Sequence, residues 1–270
     1  MSSTVTQWDV IGRLKAAATE AQSPAMIILN QPIVHTPLLE TLFSSSYLHA
    51  GQPRVAADGG ATQLFKVINK TRINGQPSPY DSLDIIVGDL DSVTAEALEY
   101  FARTAKPAQV IKIADQNSTD FGKAIKLIRE ADTSAPRDII AIGGCGGRVD
   151  QGVAQLHHLY LFQSSVSRIF LLNSESVTFL LAPGKHILRV KDGATDIFGK
   201  HVGILPMDGT AHITTSGLEW DVTNWETSFA GAMSTSNHVL PETTHIEVET
   251  DNAVLFTIAL RDALVTSDSS

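Results

Sequence analysis

Between residues 25 and 175, short apolar runs alternate with segments of helical period, and most runs stop at an acid or a glycine. Met26 to Leu29, Arg54 to Ala57, Asp84 to Val87, Gln109 to Ile113, Asp138 to Ile142 and Arg168 to Leu172 read as strands. Thr62 to Asn69, Thr94 to Thr104, Phe121 to Ala131 and Val149 to Phe162 read as helices. Phe121, Ala124, Ile125 and Ile128 fall on one stripe, the i, i+3, i+4, i+7 spacing of a buried helix face. Strands apolar on both faces, each followed by a helix, predict an α/β fold: a mostly parallel sheet with helices on both faces. Ligands of such sheets bind beyond the carboxyl ends of the strands.

After Leu181 the texture changes. Ala182-Pro183-Gly184 reads as a boundary. Strand-like runs with turn signals follow at His186 to Val190, His201 to Leu205, Ala211 to Thr215, Thr244 to Glu249 and Ala253 to Leu260. They predict a smaller all-β sandwich domain. The expected organisation is a lead segment over 1–24, an α/β domain over 25–181 and a β-sandwich over 182–265. A weakly amphipathic stretch runs from Trp8 to Ala18. Thr71 to Ser82, with Asn74-Gly75 and two prolines, reads as a surface loop. The Ser/Asp-rich end, Thr266 to Ser270, reads as frayed.

Composition narrows the function. The formal net charge of −9 over 270 residues argues against nucleic acid or an anionic membrane as partner. A polyanionic substrate would need a metal and local donors to hold it. A single cysteine, Cys145, excludes an intrachain disulfide framework and fits a reducing compartment. No apolar stretch reaches the roughly 18 residues that span a bilayer. The first 23 residues lack an apolar core followed by a small-residue cleavage site, so a cytoplasmic location is expected.

Four clusters fall at the predicted strand ends. In Ala57-Asp58-Gly59-Gly60-Ala61, an acid and two glycines lead into a helix. The glycines permit close backbone approach and suit an anion or a ribose; the plain alternative is a tight turn with Asp58 as helix cap. In Gly88-Asp89-Leu90-Asp91-Ser92, two acids at i and i+2 share a face. Their mutual repulsion calls for a hard divalent cation such as Mg²⁺. A helix cap would explain one of these acids and leave the other. In Asp115-Gln116-Asn117-Ser118-Thr119-Asp120-Phe121, Ser118 or Thr119 would cap a helix, and Asp120 either favours its dipole or completes a carboxylate site with Asp89 and Asp91. In Gly143-Gly144-Cys145-Gly146-Gly147-Arg148-Val149-Asp150-Gln151, four glycines offer a nest of amides for phosphate, with Arg148 placed for a charge-assisted contact. No Gly-Lys-Ser/Thr is present, so this is not a P-loop. Cys145 reads as a small packing residue. His157 and His158 are adjacent on a helix and point to different faces, which speaks against a shared metal. Lys123, one turn past Asp120, is placed to reach a phosphate.

In their order, these four motifs resemble the thiamine pyrophosphokinases of eukaryotic type. Ser216-Gly217-Leu218-Glu219-Trp220, Phe229 and Ser234-Thr235-Ser236-Asn237 are similar to that family's thiamine-side motifs, and Gly203-Ile204-Leu205-Pro206 to another family segment. The resemblance covers about residues 25 to 260. It implies Mg²⁺-dependent transfer of diphosphate from ATP to the hydroxyethyl alcohol of thiamine, giving thiamine diphosphate and AMP. It also implies a homodimer with active sites at the subunit interface. Carried over residue by residue, Asp89, Asp91 and Asp120 hold Mg²⁺, and Asp58 stands with them among the catalytic acids. Gly59, Gly60, Gly143, Gly144, Gly146, Gly147, Arg148, Asp150 and Gln151 lie on the nucleotide side. Gln116 faces thiamine, Trp220 stacks on its pyrimidine, and Ser234, Ser236 and Asn237 belong to the same side. Asp120 or Asp91 would accept the proton of the thiamine hydroxyl. Thr62 and the Gln155-Leu156-His157 stretch stand where the family commonly has Asn, and Phe229 is followed by Ala230 rather than directly by Gly. A metal-dependent nucleotide phosphohydrolase and a non-catalytic nucleotide-sensing module are the alternative readings.

Overall fold

The computed structural model describes residues 5–14, 23–34, 36–44, 52–72, 78–131, 136–191 and 196–261. The chain divides into two compact units, Ala16–Ser174 and Met1–Lys15 with Glu175–Ser270. The second unit opens with strand β1 (Val5–Trp8) and helix α1 (Val10–Leu14).

The α/β unit runs β2 (Ala25–Ile28), α2 (Pro37–Phe43), β3 (Arg54–Ala57), α3 (Gly60–Thr71), β4 (Ile85–Gly88), α4 (Ala95–Ala102), β5 (Gln109–Lys112), α5 (Asp120–Ala131), β6 (Ile139–Ile142), α6 (Val149–Leu161) and β7 (Ile169–Leu172). Its strands lie in the order β7-β6-β2-β3-β4-β5, every pair parallel. β2, β6 and β7 are buried along their whole length, as continuous apolar runs require. β5 forms an exposed edge. The α5 stripe of Phe121, Ala124, Ile125 and Ile128 is buried as its spacing predicts. The strand order turns back on either side of β2, so the loops after β2 and β6 diverge and open a crevice at the carboxyl ends.

Several elements differ from the sequence reading. α2 was not expected; Pro37 starts it and the Thr36 hydroxyl caps it by accepting from the Leu39 amide at 3.1 Å. Within the expected loop from Thr71 to Ser82, Thr71 ends α3 and Pro79–Asp81 form a 3-10 turn closed by a Ser78/Asp81 capping box. Asn74-Gly75, the tail from Thr266 and residues 15–18 of the amphipathic stretch lie outside the described residues.

The β unit adds β8 (Ser176–Leu181), β9 (Gly184–Arg189), β10 (Phe198–Leu205), β11 (Ala211–Ser216), β12 (Trp225–Thr227), β13 (Ser234–His238), β14 (His245–Thr250) and β15 (Val254–Leu260). One sheet is ordered β1-β9-β14-β11-β12, and the other strands follow the order β13-β10-β15-β8. Trp8 of the first packs on Phe179 of the second at 4.8 Å between ring centroids, and Phe179 on Phe256 at 5.4 Å, so aromatic rings join the layers. β8 pairs antiparallel with β15 from Ser176↔Ala259 to Leu181↔Val254, which brings it into this unit and sets the division at Ser174–Glu175 instead of at Ala182. The chain start, expected as a lead segment of its own, likewise falls in this unit as far as Lys15. β1 pairs in parallel with β9, Val5↔Lys185 to Trp8↔Leu188, a partner that no local pattern announces. Among the described residues, no helix is long and apolar enough to cross a membrane.

Candidate active site

The crevice over the parallel sheet is a cleft of about 600 Å³ lined by residues that follow β2, β3, β4, β5 and β6. Asp58 follows β3 and is buried; its φ of +41° lies in the left-handed region. Its carboxylate accepts from the amides of Ser92 at 3.1 Å and Val93 at 3.0 Å. Asp58 therefore ties down the loop that carries Asp89 and Asp91, while Gly59 occupies the cap position of α3. Burial, opposed in part by those two amides, pushes its carboxyl up to about 6, with Asp120 and Asp89 adding repulsion.

Asp58, Asp89 and Asp91 each offer an oxygen within 4.8 Å of the others. The cap of α4 is Thr94, so neither Asp91 nor Ser92 is spent on that helix. The Gln116 amide donates to Asp89 at 3.1 Å and holds its carboxyl below the usual range. Asp120 opens α5 on the other side of Gly88. A Cβ on Gly88 would stand 2.7 Å from Cβ of Asp58 and 3.0 Å from Oδ1 of Asp120, so only glycine lets these acids converge. The set with mutual 4.8 Å spacing thus contains Asp58 in place of the expected Asp120, and Asp120 pairs at 2.9 Å with Lys123.

The glycine loop is less open than its composition suggests. The amides of Gly143 and Gly144 donate to the Leu172 carbonyl, and that of Cys145 donates to Gln155 at 2.5 Å. The Gly147-Arg148 end reaches the cleft. Gly147 has φ +70°, and a Cβ there would meet Oε1 of Gln31 at 2.2 Å. Arg148 chelates Asp150, Nε to Oδ1 at 3.0 Å and Nη2 to Oδ2 at 2.5 Å, and both are exposed. Cys145 is exposed with φ +53°, a turn residue and not a packing one. Thr62 and Gln155 have structural work of their own: Thr62 accepts from the Thr94 amide at 2.9 Å, as Gln155 does from Cys145.

Sequence reasoning passed over two lining residues. Asn30 and Gln31 follow β2, and their position past a buried strand was the available signal. Lys123 is not a solvated lysine; it is 4% exposed. His158 is buried between Phe121 and Phe162, with centroids at 5.1 and 5.7 Å. Its Nδ1 faces the Ala154 carbonyl, so Nε2 accepts from the Thr119 hydroxyl at 2.6 Å. Thr119 in turn accepts from the Gly122 amide at 3.0 Å and caps α5.

In the β unit, Trp220 lies 55% exposed on a turn stapled by Asp221, which accepts from Thr215, Gly217 and Leu218. Ser236 has φ +57° at an irregular pairing of β10 with β13, and it lines a recess of about 570 Å³ with Thr235, His201 and Gly203. Ser234 and the buried Asn237 sit on the same strand. Phe229 is 65% exposed.

Acids and a glycine loop at the carboxyl edge of a parallel sheet, in one chain with a β unit, define an enzyme of the phosphate-transferring class. Residues 45–171 match the model of the thiamin pyrophosphokinase catalytic domain and residues 185–255 that of the thiamin pyrophosphokinase vitamin B1 binding domain. The chain is 33% identical over 245 residues to thiamine pyrophosphokinase 3 of Oryza sativa subsp. japonica, covering 88% of this chain and 87% of that one. It is 32% identical over 251 residues to thiamine pyrophosphokinase 1 of Arabidopsis thaliana, covering 88% and 86%. The fold superposes on the crystal structure of yeast thiamin pyrophosphokinase with a TM-score of 0.80 at 23% identity, covering 97% of this chain and 93% of that one. The chain belongs to the thiamine pyrophosphokinase family.

Proposed function

We propose that the acid-lined cleft of the α/β unit is the centre at which this enzyme forms thiamine diphosphate from ATP and thiamine, releasing AMP. The observation that carries this reading is that Asp89 and Asp120 line one cleft with Gly147 and Arg148, while Asp58 and Asp91 cluster with Asp89 at its side. The donor set suits Mg²⁺: hard oxygens, closely spaced, whose repulsion a divalent ion relieves. Asp89 and Asp91 with Asp58 would hold it, and Asp120 supplies the fourth acid beside Lys123. When bound there, Mg²⁺ offsets the charge of the polyphosphate.

The chain's own residues supply position. Arg148 and the amides at Gly146 and Gly147 would hold phosphate oxygens, with Asp150 and Gln151 beside them. Gly59 and Gly60, both buried, leave the start of α3 without a side-chain cap and would let the backbone pack close beneath the nucleotide side. Gln116 orients Asp89 and faces the thiamine side. Trp220 offers its exposed indole to the aminopyrimidine, with Ser234, Ser236 and Asn237 around it. Holding an alcohol in line with the β-phosphorus is most of what such a reaction asks of a protein. The homodimer with interfacial sites and the cytoplasmic location belong to this proposal through the family resemblance and the lone cysteine.

The test is product analysis with ATP, Mg²⁺ and thiamine. AMP and thiamine diphosphate in equal amounts are expected. ADP would mean ordinary kinase chemistry, and phosphate released without thiamine would mean a phosphohydrolase.

A further inference from the structure

Asn237 is only 5% exposed, and its amide is committed to the main chain. Oδ1 accepts from the amides of Trp220 at 3.2 Å and His238 at 2.8 Å, and Nδ2 donates to the Trp220 carbonyl at 2.9 Å. Both lone pairs of Oδ1 are thereby used. The segment before Trp220 is stitched to the same strand: the Glu219 amide donates to the His238 carbonyl at 2.9 Å, and Leu218 bridges Val239.

The next side chain supports the indole itself. The His238 ring lies 5.0 Å from that of Trp220, tilted by 46°. His238 Nδ1 is 2.6 Å from the Glu219 carboxylate, and the His201 ring meets His238 edge-on at 4.9 Å. An exposed aromatic ring held at its backbone by one residue and at its face by the next is built to present a flat surface in a fixed orientation. Order established before binding lowers the entropy lost on binding.

We propose that Asn237 is a positioning residue for Trp220 and not a direct ligand of thiamine, with His238 as the second brace. This rests on the reading of Trp220 as the surface on which the pyrimidine stacks.

The experiment is a double-mutant cycle on the full chain, reading thiamine KM, ATP KM and kcat for Asn237→Ala, Trp220→Ala and the pair. A residue acting through Trp220 raises the thiamine KM by about tenfold alone and adds less than about twofold once the indole is gone. Effects that multiply would overturn the proposal, because Asn237 would then contact thiamine on its own account. A normal thiamine KM in Trp220→Ala would instead remove the stacking reading, and this proposal with it. If Asn237→Ala does not fold, Asn237→Asp decides the same cycle: it keeps the two accepted bonds and loses the donor to the Trp220 carbonyl. His238→Phe, which retains a ring against the indole, should keep thiamine affinity where His238→Ala loses it. Equal losses in both would overturn the bracing role.

Discussion

The ammonium of Lys123 stands 2.9 Å from Oδ1 of Asp120, one turn back on α5, and its side chain is 3% exposed against 30% for the acid. A cation this buried needs its counter-charge, and an acid that repels Asp58 gains relief from a neighbouring cation. The pair satisfies both in the wall of the acid-lined cleft.

Lys123→Gln should lower turnover by at least about tenfold, since a positioned cation beside a transferring phosphate contributes on this scale. The Mg²⁺ concentration for half-maximal rate should stay level or fall, because the acids lose a competing cation. The cost in stability should be about 1–3 kcal/mol, less than for a fully buried pair because Asp120 reaches water. A rise in the Mg²⁺ requirement would contradict this role.

Asp89→Asn should reduce Mg²⁺-dependent turnover by orders of magnitude with an unchanged unfolding midpoint. Its carboxylate holds no strand or helix in place and serves the cluster. Near-normal activity would take Asp89 out of the metal site.

With Asp58 on the ion as proposed, metal use would depend on pH. With its carboxyl at about 6, it is protonated below that pH, and a divalent ion must displace the proton. The half-saturating Mg²⁺ concentration should therefore climb as pH falls from about 7 to about 5, and flatten above. Rates measured against Mg²⁺ at several pH values check this. A flat requirement across the range would remove Asp58 from the ion.

Trp220→Ala should raise the thiamine KM by about tenfold and leave the ATP KM and the unfolding midpoint alone. The indole is more than half exposed, so the fold spends little on it.

His186 and His158 predict how stability varies with acidity. Burial lowers the pKa of both. His186 faces the Ala182 carbonyl through Nε2 and accepts the Trp8 indole N–H at 3.0 Å, so its neutral form is the one that fits. A folded pKa below the unfolded value near 6.5 means the contribution is whole above about 6.5 and disappears as pH falls through the lowered value. Urea unfolding at neutral and mildly acidic pH should show a lower midpoint in acid. His186→Gln should shallow that slope, and an unaltered slope would exclude His186 as a source.

The legible parts of this fold were the local ones. Runs such as Ile85-Ile86-Val87, ended by Gly88-Asp89, carry strand, turn and chemistry within a few residues, so the sheet and its acids could be read directly. The α5 stripe was legible for the same reason. The burial of Lys123 was not, because it depends on what covers α5. Asn30 and Gln31 carry no motif; they matter only because β2 lies between β3 and β6. The joining of β1 to β9, and of β8 to β15, is a matter of partners far along the chain, and such pairing leaves no periodicity in either segment.

The parallel pairing of β1 with β9 has a consequence for synthesis. Val5–Trp8 is made before the α/β unit, and its neighbour Gly184–Arg189 only after it. A strand whose tryptophan is buried in the finished fold must wait, unmatched, until that unit is complete. Chaperone dependence during biogenesis should accordingly be concentrated on Val5–Trp8.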